Sequence, residues 1–479
     1  MLTRRWHHGG GASFSYLEPY SNQERHMARG LGMLSRRLVT LAAILTAACA
    51  SDDANRIVLL GATVIDGAGG APIHNAVVVI NGSSIEAIGP AGEVPVPGGA
   101  QEIDLTGRWI IPGLIDADAR AESWAMTRFL AYGITAIRDL RSDTESVMAI
   151  SQLTERKEVS GPRIYFTGTP VGDPQSGAAL SARDARRVVD GNSVAGVDYI
   201  GVAEGVTLTV LRAVVDESRS FQLPVVASLG LMDAVTAADA GVRSIVGLSG
   251  VPQAAAGSSA PFYAAFRQGF YRGWGYAERS WSRLRAGTLD RIAGQLADAN
   301  VSLTPTLIMH ETAANLDDPS QLERPAPGAI PAEVASGWDS RALLRERAWS
   351  ARDLRAFRQG RPVQDRFVAQ FKSRGGVVAV GSGSPAPYLV PGASLHSELQ
   401  LLVRAGFTPM DALMAATSGN AAVLEADSLG ILMPGRVADL IILTADPLQD
   451  IRNTRAIESV MVRGELLLAE AVRAGWSSP

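Results

Sequence analysis

The chain has 479 residues, 47% of them hydrophobic and 19% charged, with a formal net charge of −4. This composition excludes a disordered chain, and the length excludes a single small domain; a large α/β body with an accessory unit fits both. No basic stretch marks a nucleic-acid partner, and a single cysteine, Cys49, excludes an intrachain disulfide.

Residues 1–49 read as an upstream segment followed by an export signal. Met33-Leu-Ser-Arg-Arg-Leu supplies a short basic region, and Leu38 to Ala48 an apolar run. That run is too short to span a membrane, which takes roughly 20 residues. Leu45-Thr-Ala-Ala-Cys49 is similar to a bacterial lipobox, so Cys49 is the expected lipidation site. A periplasmic or cell-surface lipoprotein of a bacterium, held by a lipid anchor, is the expected state. Ser35-Arg36-Arg37 also permits twin-arginine export.

From Arg56 the chain turns to short strands: Arg56-Ile-Val-Leu-Leu, Ala62-Thr-Val-Ile-Asp, Ala76-Val-Val-Val-Ile and Ile85-Glu-Ala-Ile. Gly-rich breaks at Asp66-Gly-Ala-Gly-Gly and Asn81-Gly-Ser-Ser read as hairpin connections. The C-terminus repeats the style in Ala438-Asp-Leu-Ile-Ile-Leu and Ile457-Glu-Ser-Val-Met-Val. Residues 56–108 and 425–470 are therefore expected to form one discontinuous β domain, a small β-sandwich built from both ends.

Between them, 109–424 alternates strands with helices. Strands are expected at 109–118, 133–139, 163–168, 198–203, 224–229, 243–249, 301–308 and 377–382. Helical stretches include Ala182–Val189, Leu208–Ser218, Leu289–Ala299, Val363–Ser373 and Leu395–Ala405. This alternation predicts an α/β fold, a (β/α)8 TIM-like barrel with its site at the carboxyl ends of the strands. Two long insertions, about 251–285 and 310–360, are rich in aromatic residues and read mainly as a packed cap over the barrel.

The first expected barrel strand, Trp109 to Leu114, leads into Asp116, Asp118 and Arg120. Alternate residues of a strand share a face, so these three charges are expected on one side, as candidate pocket groups. Arg138, near the end of the second strand, is a further candidate pocket charge.

In this order the motifs resemble the amidohydrolase superfamily, near its imidazolonepropionase-like metal-dependent hydrolases. The resemblance rests on Gly61-Ala-Thr-Val-Ile-Asp-Gly, Gly107-Arg-Trp-Ile-Ile-Pro-Gly-Leu-Ile-Asp, Gly133-Ile-Thr-Ala-Ile-Arg-Asp and Gly430-Ile-Leu-Met-Pro-Gly-Arg-Val-Ala-Asp-Leu-Ile-Ile-Leu, and runs from Ile57 to about Leu467. It implies a barrel, hydrolysis of carbon–nitrogen bonds other than peptide bonds, and zinc or another divalent metal. Family metals are held by a His-x-His pair, a lysine, two further histidines and an aspartate. This chain has Asp118-Ala-Arg120 at the pair, Gly201 at the lysine, Ser228 and Gly247 at the histidines, and Gly383 at the aspartate. Beyond residue 49 only His74, His310 and His396 occur, so a four-histidine site cannot be assembled in any register.

The resulting expectation is a protein with the family framework, no metal cofactor and no catalytic residue. It would serve as a binding or partner protein for a small-molecule ligand or an active amidohydrolase relative. One alternative is a working hydrolase with a site rebuilt from Asp116, Asp118, Glu204 or His310. Another is a metal-free binder of an anionic small molecule, using Arg120 and Arg138. His396 reads as structural, His310-Glu311 as a coincidental pair, and Arg138-Asp139 as an ion pair fixing a strand end.

Overall fold

The computed structural model describes residues 56–172, 181–318, 320 and 325–477. The export signal and Cys49 lie outside the described residues. Among those described, no helix is long and apolar enough to cross a membrane.

The fold is mixed α/β. Its N-terminal strands are β1 (Arg56–Val64), β2 (Ile73–Asn81), β3 (Ser84–Pro90), β4 (Gln101–Asp104) and β5 (Trp109–Pro112). The middle supplies β6 (Leu114–Ala119), β7 (Ile134–Asp139), β8 (Arg163–Phe166), β9 (Ile200–Val202), β10 (Val225–Ser228), β11 (Ser244–Val246) and β12 (Ser302–Thr304). The C-terminal end adds β13 (Leu440–Leu443), β14 (Ile457–Val462) and β15 (Glu465–Leu468).

Both ends of the chain enter one eight-stranded sheet in the order β15-β14-β13-β5-β1-β2-β3, with β4 also on β1. The junction is antiparallel, Ile441 opposite Ile111 and Ile442 opposite Ile110. The far strand β3 returns to the segment before β13, where Ile85 donates its N–H to Arg436 and Ala438 to Ser83, both at 2.9 Å. Leu59, Val64, Val78, Ile80, Ile110, Leu440, Ile442 and Met461 form one apolar cluster drawn from both ends. Each such side chain, fully buried, contributes about 1.5–3 kcal/mol over exposure.

The middle strands form two parallel sheets, β6-β7-β8 and β12-β11-β10-β9. Backbone hydrogen bonds link their edges on both sides. On one, Asp198 N–H bonds Phe166 C=O at 3.0 Å, and Val171 N–H bonds Gly201 C=O at 2.8 Å. On the other, residues 377–384 run as an extended segment between β12 and β6. Ala379 N–H there bonds Leu303 C=O at 2.9 Å, Ala117 N–H bonds Val380 C=O at 2.9 Å, and Gly383 N–H bonds Asp118 C=O at 2.7 Å. Gly381 allows this approach, since a Cβ there would sit 2.6 Å from the Asp118 Cβ.

Two expected strands are cut differently. The stretch 109–118 is two strands in two sheets, because the chain crosses over at Gly113. A Cβ at Gly113 would lie 2.1 Å from Thr135 Oγ1, so only glycine passes there. The strand expected over 301–308 stops at Thr304; Thr306 is left-handed (φ 49°) and a helix runs from Leu307 to Ala314.

The expected helices appear at Ala182–Ala195, Leu208–Ser220, Ala286–Asp298, Ala351–Ser373 and Ala393–Arg404. Two of them begin with a capping box, Ser181 with Asp184 and Ser350 with Asp353, an arrangement that satisfies otherwise orphaned N–H groups. The insertions are helical, and their aromatics pack chiefly on one another. Trp274 lies 5.4 Å from Trp349 and 6.1 Å from Phe357, ring to ring. Gly360 lets the long helix Ala351–Ser373 rest against the fully buried Trp281.

Candidate functional site

β6 carries the acidic part of the site. Asp116 and Asp118 are two residues apart on a fully buried strand, and both have no exposed surface. Asp116 Oδ1 accepts the Ser382 N–H at 2.9 Å, and Oδ2 accepts the Ser382 hydroxyl at 2.5 Å. Ser382 and Ser384 are themselves 2.7 Å apart through their hydroxyls. Burial, helped by the neighbouring Asp118 charge, pushes the Asp116 carboxyl up to about 7 against the pull of the two Ser382 hydrogen bonds.

Asp118 is answered by a cation absent from the sequence reading. Arg141 Nη1 lies 3.1 Å from its Oδ1, without the alignment of a hydrogen bond, while the Thr306 hydroxyl donates to Oδ2 at 3.3 Å. Arg141 is placed there by Asp139, a buried carboxylate that accepts from the backbone of Ala121, Arg141 and Ser142 and from the Ser142 hydroxyl. Asp139 therefore forms no ion pair with Arg138, contrary to expectation, because the two residues face opposite sides of β7.

Arg138 projects the other way, into the interior, with 1% of its surface exposed. Its Nε donates to Ala117 C=O at 2.9 Å, and Nη2 reaches the hydroxyls of Ser244 at 3.5 Å and Thr304 at 3.3 Å. The guanidinium also lies 5.7 Å from the Tyr199 ring centre. Burial draws its pKa down, while Tyr199, Asp118 and Asp116 draw it back up. A cation so enclosed compensates the two aspartates from behind and is closed to a ligand from solvent.

Arg120 does not join this cluster. β6 ends at Ala119 after a register shift, so the alternation linking Asp116 and Asp118 stops one residue short of it. Arg120 is exposed, its N–H bonds Ser384 C=O at 2.8 Å, and among the described residues its side chain forms no salt bridge. Arg120 is therefore not on the same side as the two aspartates, and the cation beside Asp118 is Arg141.

The remaining positions singled out by the resemblance differ in what surrounds them. A Cβ at Gly201 would lie 2.9 Å from Thr167 Oγ1, so a neighbouring side chain has taken that space. Gly247, left-handed at φ 73°, has open space in the Cβ direction. Gly383, also left-handed at φ 69°, is aimed at the acidic pair, with its Cβ direction 3.8 Å from Asp118 Oδ2. Ser228 closes β10, partly exposed, next to Val246 of β11. The structure thus brings together Asp116, Asp118, Gly383 and Arg138, with Arg141, Thr306 and Ser382, and leaves Arg120 at the rim.

This donor set does not fit zinc. Metal ligation needs imidazole, thiolate or carboxylate lone pairs free to face one point. Here Ser382 occupies both oxygens of Asp116 and a guanidinium stands on Asp118. Among the described residues no group of three or more His, Cys, Asp or Glu is placed to hold a metal ion.

Two other buried groups lie beside the strand ends. Glu398 accepts the N–H groups of Leu307 at 2.8 Å and Ile308 at 2.6 Å, closing the N-terminus of that helix. Burial nevertheless pushes its carboxyl up to about 8. His310, fully buried and stacked on Trp274, has Nδ1 3.0 Å from Glu278 Oε1, and its Nε2 has no partner. His310 and Glu311, read as a coincidental pair, have separate partners, Glu311 binding Arg361 and Arg404. His396 is structural as expected, bonded to Thr454 and to Tyr132 C=O, and burial lowers it to about 3.

Comparison with known proteins gives one family match and many similar structures. Residues 376–467 match the model of the amidohydrolase family. No curated protein matches the chain. A bottromycin amidohydrolase is similar at TM-score 0.69 and 20% identity, over 88% of this chain and 91% of that one. A putative prolidase from Bifidobacterium longum is similar at TM-score 0.62 and 23% identity, over 89% of this chain and 100% of that one. An Xaa-Pro dipeptidase, solved with methionine in its active site, aligns at TM-score 0.63 and 16% identity, over 86% of this chain and 100% of that one.

Proposed function

We propose that this chain, an amidohydrolase-family protein, has exchanged the family's metal centre for an internal ion-pair network and works as a metal-independent binding or partner protein. The observation that carries this reading is the guanidinium of Arg141 on Asp118, with Ser382 hydrogen-bonded to both oxygens of Asp116. A permanent cation sits where a divalent ion would need the carboxylate, and a guanidinium cannot be deprotonated to make way. Hydrogen bonds across both edges of the two parallel sheets support a closed (β/α)8 barrel. The sheet shared by both chain ends supports a composite β domain that wraps its own core as a small sandwich. The basic and apolar segment ending at Cys49 supports export as a lipoprotein.

Metal analysis of the purified chain, combined with a screen of Xaa-Pro dipeptides, lactams and amides, tests the reading. We expect no stoichiometric divalent metal and no turnover above background. Tightly bound zinc near one equivalent would sink it.

A second reading, a hydrolase with a rebuilt site, draws on one observation. Glu278 orients His310 through Nδ1 and leaves Nε2 unpartnered, the arrangement of a general base. Under this reading some substrate of the screen turns over, and His310→Gln abolishes that turnover while Asp118→Asn does not.

A further inference from the structure

We propose that residues 332–349 form a lid over the buried Asp116–Asp118 centre, latched by Tyr388, and that the centre meets solutes only when this latch releases. The proposal concerns access alone and holds whether the enclosed centre binds a ligand or turns one over.

The centre is sealed. Asp116, Asp118, Thr306, Ser382 and Ser384 all have no exposed surface. Over them lies a tight turn, Ala386 to Leu389, closed by the Leu389 N–H on Ala386 C=O at 2.8 Å. Leu389, itself buried, lies 3.5 Å from the Cβ direction of Gly383, the residue aimed at Asp118 Oδ2. Two non-glycine residues around the centre are left-handed, Thr306 at φ 49° and Tyr388 at φ 63°. β-Branched and bulky side chains rarely adopt that conformation, and strain of this kind gathers at clamps and switches.

Tyr388 ties the turn to the lid. Its hydroxyl donates to Trp338 C=O and lies 2.9 Å from the Ser340 hydroxyl, and its ring centre is 5.6 Å from that of Trp338. The lid itself is thinly seated. Its first helix, Ala332–Ala335, buries no residue, and its second, Ser340–Arg347, buries only Leu343 and Arg347. Arg347 rests on ring faces, 4.5 Å from the centre of Tyr271 and 5.2 Å from that of Trp349. The next helix, Ala351–Ser373, by contrast buries Leu354, Phe357, Phe367 and Phe371. A segment with few buried side chains opens more readily than the core it rests on. When Tyr388 lets go of Trp338 and Ser340, the lid lifts from the turn, and Leu389 is free to leave Gly383 and uncover the centre.

The test measures reaction with a methanethiosulfonate reagent in a Cys49→Ser chain that carries Ser384→Cys beneath the turn. A second chain carries Ser218→Cys instead, buried in the helix Leu208–Ser220 and outside the lid, to report global opening. The thiol at position 384 should react slowly, and several-fold faster when Tyr388→Phe or Arg347→Gln is added. The rate at position 218 should not change with either. An unchanged rate at 384 in both variants, or an equal acceleration at 218, would overturn the proposal. If Ser384→Cys does not fold, hydrogen exchange of the otherwise unaltered chain decides. Amides of 332–349 should then exchange faster than those of Ala351–Ser373, and Tyr388→Phe should speed exchange in the turn 386–389. Exchange as slow as in that helix, or a turn unmoved by Tyr388→Phe, would refute the lid.

Discussion

The Asp139 carboxylate accepts the backbone N–H of Arg141 at 2.9 Å and thereby sets the position of the guanidinium that covers Asp118. Three residues from neighbouring strand ends are coupled in series: Asp139 fixes the loop, the loop presents Arg141, and Arg141 compensates Asp118. Arg141→Ala should therefore leave a buried carboxylate short of its cation and lower stability by about 1–3 kcal/mol. Asp139→Ala, which also frees the backbone of Ala121 and Ser142, should cost more. Urea denaturation of the two variants and of the double variant checks this; fully additive losses in the double variant would show that Asp139 does not act through Arg141.

The Asp116 carboxyl makes stability depend on pH in a direction opposite to the usual aspartate. Its folded pKa, about 7, is above the ordinary 3.8, so between these values the folded chain holds a proton that the unfolded chain has lost. This contribution is complete below pH 3.8 and is lost as pH rises through 7, at roughly 1.4 kcal/mol per pH unit at most. Asp116→Asn should flatten the decline, measured as unfolding free energy at pH 5 and at pH 7.5. An unchanged slope would refute the assignment.

His396 acts with the other sign. Burial lowers its folded pKa from 6.5 to about 3, so the unfolded chain takes up the proton first. The stability it contributes is present above pH 6.5 and is lost as pH falls toward 3. Over much of the acid range it offsets part of the decline that the raised carboxyls of Asp116 and Glu398 impose. His396→Asn should steepen the decline of stability with rising pH between 4 and 6.5, seen in melting temperatures across that interval. A profile parallel to wild type would count against it.

Adding a carboxylate at Gly383 should not create a metal site. Gly383→Asp adds a third carboxylate beside Asp116 and Asp118 at a left-handed position; such a conformation costs a non-glycine residue roughly 1–2 kcal/mol. The expected outcome is a lower melting temperature that added zinc does not restore, with no zinc retained after dialysis. Stoichiometric retention would mean that the remaining donors still converge.

Much of the architecture was legible because it is written in local patterns. Apolar runs marked β7, β9, β10 and β11, whereas the helix expected from Val363 begins at Ala351, behind the Ser350 cap. The stretch through Pro112 and Asp116 was found but read as one strand. The glycine that divides it is explained only by Thr135, a residue of the next strand. Gly201, Ser228, Gly247 and Gly383 stood out by their place in the motifs, but what surrounds them in the fold did not. Arg141 lies in the loop after β7, Ser382 in a Gly-Ser repeat, and Glu398 on a helix that resembles any other. Their roles arise from pairings across the fold, such as Asp116 with Ser382 or Glu278 with His310, which leave no spacing in the sequence to detect.

The sheet shared by the two chain ends has a consequence for biogenesis. β5 pairs with β13, so during synthesis the early strands emerge with an open edge and wait for the whole α/β segment to follow. Until β13 arrives, β5 is paired on one side with β1 and open along the other. A prematurely ended chain would present that edge to other copies of itself, a ready template for aggregation. The final strands are in this sense the latch of the first, and trimming β13 to β15 should release insoluble protein rather than a shortened folded one.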